Sequence, residues 1–116
     1  MSLVAGLDFG GGAVKACVAE IESGNVLSVA EQPTETRYPA AGYAEFEPAA
    51  WWRAAATAMR AAVAQARRPG GDYVAVSATS LRQGYVLLDA DSEIGPGVLN
   101  SDRRGAAQME RVRETI

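Results

Sequence analysis

Two stretches carry residues whose types and spacing suit chemistry. The first is Leu7-Asp8-Phe9-Gly10-Gly11-Gly12-Ala13-Val14-Lys15. An acid that closes a short apolar run, followed by three glycines, sets a carboxylate beside a main chain that a ligand can approach closely. Exposed amides in such a turn can face phosphate oxygens, and the carboxylate can orient a hydrated Mg²⁺. Lys15 adds positive charge a few residues along the returning chain. A Walker A loop is excluded, because Lys15 lies between Val14 and Ala16 rather than between glycine and Ser/Thr. Asp8-Phe9-Gly10 spells the metal triplet of protein kinases, but no catalytic loop can precede it so near the start. On these residues alone, a tight hairpin with Asp8 as a solvated strand-end charge is an equal reading.

The second stretch runs from Ser77 to Asp89 and centres on Arg82-Gln83-Gly84. Arginine offers a fixed fork of donors and glutamine both a donor and an acceptor, a pairing suited to neighbouring hydroxyls. The plain alternative is a polar hairpin tip on a solvated face. Further on, Asn100-Ser101-Asp102-Arg103-Arg104 offers Asp102 either as a hydroxyl ligand or as the cap of a following helix.

The elements that must position these residues follow from patterning. Leu3 to Phe9 reads as a strand, and Gly10-Gly11-Gly12 as a turn for which glycine supplies positive φ. Ala13 to Ile21 returns antiparallel. Glu22-Ser23-Gly24-Asn25 turns the chain into a third strand, Val26 to about Glu31. A loop from Pro33 to Pro48 leads to a helix over Pro48 to Arg68. Its apolar stripe is Trp51, Ala55, Met59, Ala62, Val63 and Ala66. Glu45 and Glu47 precede this helix where negative charge suits its dipole, and Arg67 and Arg68 suit its far end. Tyr73 to Thr79, small and β-branched, reads as a buried strand. Tyr85 to Leu88 reads as another strand, Ile94 to Leu99 as a short edge strand or extended loop, and Arg103 to Glu114 as a helix.

Composition narrows the field. The chain has 116 residues, 48% hydrophobic and 22% charged, which suits one globular domain with surface left for a partner domain or a homodimer contact. It has no histidine, so Ser-His-Asp triads and the commonest zinc sites are excluded. A net charge of −3 without a basic run gives no footprint for nucleic acid. No apolar stretch is long enough to span a membrane, and the single cysteine, Cys17, fits a reducing cytoplasm.

With these residues in view, the chain resembles the FGGY family of carbohydrate kinases. Asp8, Gly10 and Lys15 resemble the phosphate loop that opens the fold shared by actin, hexokinase-like enzymes and these sugar kinases, although Gly11 stands where the family usually has threonine. Ser77-Ala78-Thr79-Ser80-Leu81-Arg82-Gln83-Gly84 is similar to the sugar-contacting segment, and in particular to the Ser-Ala-Thr-Ser-Met-Arg-Glu-Gly stretch of autoinducer kinases. Glu45-Phe46-Glu47-Pro48 with Trp51-Trp52 resembles the family's acidic-Pro-Trp-Trp helix start, and Asn100-Ser101-Asp102-Arg103-Arg104 its Asn-x-Asp-x-Arg segment.

The resemblance implies an α/β, ribonuclease H-like (actin/hexokinase-like ATPase) half-domain whose mixed sheet starts with a three-strand antiparallel meander. It implies ATP and Mg²⁺ as cofactors, a sugar or polyol as substrate, and a cytoplasmic enzyme. Asp8, Gly10, Gly11, Gly12 and Lys15 would serve phosphate and, through Asp8, Mg²⁺; Arg82, Gln83 and Asp102 would serve the substrate. Residues 1–116 would then be the N-terminal part of the first kinase domain, without the ATP-side domain, and inactive alone. The general base would lie beyond Ile116. The expectation that unites these parts is that Asp8 and the Arg82-Gln83 pair serve one cleft. Two rivals remain at this point: a non-catalytic sensor or assembly domain of the same fold, and a metal-dependent nuclease using Asp8 with other acids.

Overall fold

Alternation along the first strands explains the sheet. A computed structural model describes residues 1–116. In it β1 (Ser2–Phe9), β2 (Ala13–Glu20) and β3 (Val26–Pro33) form the expected antiparallel meander. Strand side chains point to opposite faces in turn. One face therefore gathers Leu3, Ala5, Val14, Ala16, Val18 and Ala30, all buried. The other face carries Gly6, Asp8, Lys15 and Cys17.

Two further strands and a long helix follow: β4 (Glu45–Phe46), α1 (Pro48–Ala66) and β5 (Asp72–Ser80). Strand β5 lies parallel to β1, so the sheet order is β3-β2-β1-β5. An antiparallel meander joined through a helix to a parallel strand is the mixed sheet of a ribonuclease H-like half-domain. The chain ends with β6 (Gly97–Val98) and α2 (Ala106–Arg113). By internal packing it divides into two compact units, Met1–Thr34 with Ala49–Leu81, and Glu35–Pro48 with Arg82–Ile116.

In the first unit the core lies between the meander and α1. Leu3, Ala16, Val18 and Ala30 pack against Ala58, Ala62 and Ala66, while Val14 packs against Ala54 and Ala55. Alanines spaced three and four apart let the helix approach the sheet closely, and the buried Ser28 hydroxyl donates to the Ala62 carbonyl at 2.6 Å. Three expectations are corrected here. Val63, assigned to the buried stripe, is 39% exposed, because the helix turns its alanines inward. The helix stops at Ala66, and Arg67 sits in the left-handed region at φ 50°, so neither Arg67 nor Arg68 lies in its last turn. Strand β5 is exposed along its whole length, with Val76 at 67%, since β1 covers one edge only and α1 does not reach over it.

The second unit is built on short pairings. Strand β4 pairs with β6, and single bridges join Arg37 to Glu45, Tyr85 to Val98 and Leu88 to Glu93. Tyr85 to Leu88 is thus not a strand. The Asp89 carboxylate accepts from the Asp91 and Ser92 amides, and that turn closes the loop instead. Helix α2 begins at Ala106 with Gly105 as its cap, so Asn100-Ser101-Asp102 does not cap it. No helix is long and apolar enough to cross a membrane.

Candidate functional site

Asp8 is the last outward-facing residue of β1, and its strand neighbours define what surrounds it. Across the sheet, Glu31 pairs with Lys15, Lys15 with Asp8, and Asp8 with Thr79. These four positions form one row on the face away from α1. The Lys15 ammonium lies 3.7 Å from the Glu31 carboxylate, with both side chains more than half exposed. Such an exposed pair is worth at most about 1 kcal/mol and leaves the lysine free to turn toward an anion. Asp8, Lys15 and Thr79, with Gly6, Cys17 and Ser77, line a surface hollow of about 400 Å³.

The glycine turn sits at the end of this row. The Gly10 amide donates to the Ala13 carbonyl at 3.0 Å, and the Thr34 amide donates to the Gly12 carbonyl at 3.0 Å. The expected positive φ is absent: the left-handed glycines are Gly24, Gly42, Gly70 and Gly95. A Cβ placed on Gly11 or Gly12 would also meet nothing within 4 Å. Neither backbone conformation nor internal packing therefore requires glycine at these two positions. Bare main chain there leaves room for a group arriving from outside.

Arg82 and Gln83 follow β5 and open the second unit, and both are exposed. No ion pair holds Arg82. Gln83 has φ 64°, one of only two non-glycine residues with positive φ. Strain of this kind costs about 1–3 kcal/mol and persists where the surroundings enforce it, often at ligand-binding positions.

Asp102 has a different setting. Its side chain is 5% exposed and accepts from the Ala44 amide at 2.7 Å, the Arg104 amide at 3.0 Å and the Arg104 guanidinium at 2.7 and 2.8 Å. Arg104 also reaches Glu45 at 2.7 Å and lies over the Tyr43 ring, 4.0 Å from its centre. The guanidinium hydrogen bonds, and then the two amides, hold the Asp102 carboxyl well below the usual carboxylate range against the opposing effect of burial. Asp102 thus clamps the segment from Tyr43 to Glu45 to the loop before α2. Glu45 is spent on Arg104 and Glu47 on Arg37 at 2.8 Å, so these two acids pair with arginines rather than serving only the dipole of α1. Trp51 is buried and Trp52 is 70% exposed, as their spacing implied.

Residues 3–116 match the FGGY family of carbohydrate kinases, N-terminal domain. This chain belongs to that family. It is 32% identical over 115 residues to the xylulose kinase of Streptomyces rubiginosus, covering 98% of this chain and 23% of that protein. It is 29% identical over 109 residues to the autoinducer-2 kinase of Salmonella paratyphi B, covering 93% of this chain and 21% of that protein. Among solved structures, the xylulose kinase of Rhodospirillum rubrum superimposes with a TM-score of 0.89 at 27% identity, covering 98% of this chain and 23% of that one. The chain thus spans less than a quarter of the length of these relatives.

For an FGGY N-terminal domain, the site reading divides by unit. Asp8, Gly10, Gly11, Gly12 and Lys15 come together in the first unit, while Arg82, Gln83 and Asp102 belong to the second. Sequence reasoning missed Thr79 beside Asp8, because only the parallel register of β5 on β1 reveals it. It also missed the Arg104 clamp, for which the one available signal was the recurrence of acid and arginine in Glu45 and Asp102-Arg103-Arg104. No group of three or more His, Cys, Asp or Glu side chains comes together that could hold a metal ion.

Proposed function

We propose that this chain is the N-terminal part of a kinase that transfers the terminal phosphoryl group of ATP to a hydroxyl of a sugar or polyol. The observation that carries the reading is the bare turn after Asp8, in a chain of the FGGY family: Gly11 and Gly12 are glycine without internal need. The Gly11 and Gly12 amides and Lys15 then bind phosphate oxygens, with Gly10 closing the turn, and Lys15 exchanges Glu31 for that anion. Asp8 is the residue that would hold a hydrated Mg²⁺, through the ion's water molecules. The site fits such an ion, because one exposed carboxylate among hydroxyls is a hard oxygen set suited to an ion that keeps most of its water. Bound with ATP, Mg²⁺ would neutralise charge that develops on the phosphoryl group.

Arg82 and Gln83 bind neighbouring hydroxyls of the acceptor, and the strained backbone at Gln83 fixes the direction of its amide. Asp102 contributes by holding the loop that follows. The base that takes the acceptor proton is supplied from outside residues 1–116, so the chain alone has no turnover. Measurable ATP-dependent phosphate-ester formation by the purified 116-residue chain would contradict that last statement.

The test is ester formation from ATP over a panel of ketoses, aldoses and polyols, by an enzyme carrying this chain as its N-terminal part. Gly12→Val is the informative variant. Its side chain has space within the chain but fills the phosphate approach, so the fold should persist while activity falls at least tenfold. Full activity of that variant, or no ester with any acceptor, would contradict the reading.

A further inference from the structure

We propose that Thr79 is a positioning residue for Asp8: its hydroxyl donates to one carboxylate oxygen and leaves the other aimed at the water shell of a phosphate-bound divalent cation. This rests on the phosphate-side reading above and extends it to a residue outside the glycine turn. Asp8 has two immediate cross-strand neighbours, Lys15 on β2 and Thr79 on β5. Lys15 turns the other way, to Glu31 at 3.7 Å. Thr79 is therefore the adjacent donor left for Asp8. Neighbouring strands lie about 4.8 Å apart, parallel or antiparallel, and partnered side chains on one face are within reach of a hydroxyl-to-carboxylate hydrogen bond once the carboxylate turns toward the hydroxyl.

Three other hydroxyls of the first unit are already taken up by main-chain acceptors. Ser28 donates to the Ala62 carbonyl, Thr57 to the Arg53 carbonyl and Ser80 to the Leu81 carbonyl. Thr79 has no such main-chain acceptor and lines the same hollow as Asp8 and Lys15. Being β-branched, it has few side-chain rotamers, so a hydroxyl at this position keeps its direction better than a serine would. A carboxylate tied by one oxygen loses rotational freedom before the cation arrives, and binding then orders one group fewer.

The experiment is an NMR titration of the 116-residue chain with pyrophosphate, with Mg²⁺ and again with EDTA, in the unmodified chain, Thr79→Val and Thr79→Ser. Thr79→Val keeps shape and removes the hydroxyl. The proposal expects it to weaken magnesium pyrophosphate about tenfold while metal-free pyrophosphate binds as before, and expects Thr79→Ser to restore most of the loss. Equal binding of magnesium pyrophosphate by Thr79→Val and the unmodified chain overturns the role of Thr79 and leaves the phosphate-side reading standing. Equal loss with and without Mg²⁺ also overturns it, since a merely structural change would act on both. If the unmodified chain binds pyrophosphate under neither condition, the phosphate-side reading fails and this proposal with it.

Discussion

Gln83 is held at φ 64°, a conformation that costs a residue with a Cβ about 1–2 kcal/mol, although glycine occupies the next position. Stability alone would favour the reverse order. Gln83→Gly should therefore raise stability by roughly 1 kcal/mol, read from the urea midpoint, and lower acceptor affinity about tenfold, read by calorimetry. A variant that gains stability and keeps affinity would show that the strain serves no ligand. At this scale the sequence was informative about residue types: Asp8, the glycines and the Arg82-Gln83 pair stand out by chemistry alone. It was misleading about why the glycines are there. Positive φ was expected and is absent from Gly10 to Gly12, because a turn closed by Gly10 and Ala13 is reached without it.

Helix α1 shows how far patterning carries at the scale of an element. The alanine stripe was legible as a periodic small-residue face, but its exact rotation was not, since Val63 and Ala62 are adjacent and both apolar. The helix end was read two residues too late, because Pro69-Gly70-Gly71 looks like the stop while Arg67 already takes the left-handed turn. Arg67→Gly should stabilise the chain by about 0.5–1 kcal/mol in thermal or urea unfolding, since glycine enters that conformation without steric cost. No change would mean that the turn is held by contacts that offset the strain.

In the second unit, the Asp102 clamp makes an acid-sensitive element. Its native pKa lies below that of a free carboxyl, so the stabilisation is fully present above about pH 4, the ordinary aspartate range, and is lost as pH falls through the native value. Tyr43 fluorescence or the Arg104 Nε signal should therefore report release of the guanidinium only below about pH 4. In Asp102→Asn that acid step should disappear. The clamp was hard to read from sequence because Asp102 and Ala44 are far apart along the chain, and their contact follows from the β4–β6 pairing.

Across the whole molecule, the fold was legible because a meander, a crossover helix and a parallel strand each have a distinct local pattern, and their order admits few topologies. What patterning could not show is burial that depends on a neighbour. Strand β5 has the small and β-branched residues of a covered strand, yet nothing in residues 1–116 covers it. That agrees with a chain spanning less than a quarter of its relatives. The proposed function carries the same dependence, since phosphoryl transfer relies on positioning from several sides of the reacting group. The proposal stands or falls on whether Asp8 and its glycine turn form the phosphate side of an ATP-dependent transfer to a hydroxyl. The most direct measurement is phosphate-ester formation followed by ³¹P NMR in an enzyme carrying this chain as its N-terminal part, with and without Asp8→Asn. An ester with at least one sugar or polyol is expected, with a fall in kcat of about 10²-fold or more in the variant. An ester formed equally fast by Asp8→Asn, or none from any acceptor with the fold intact, would contradict it.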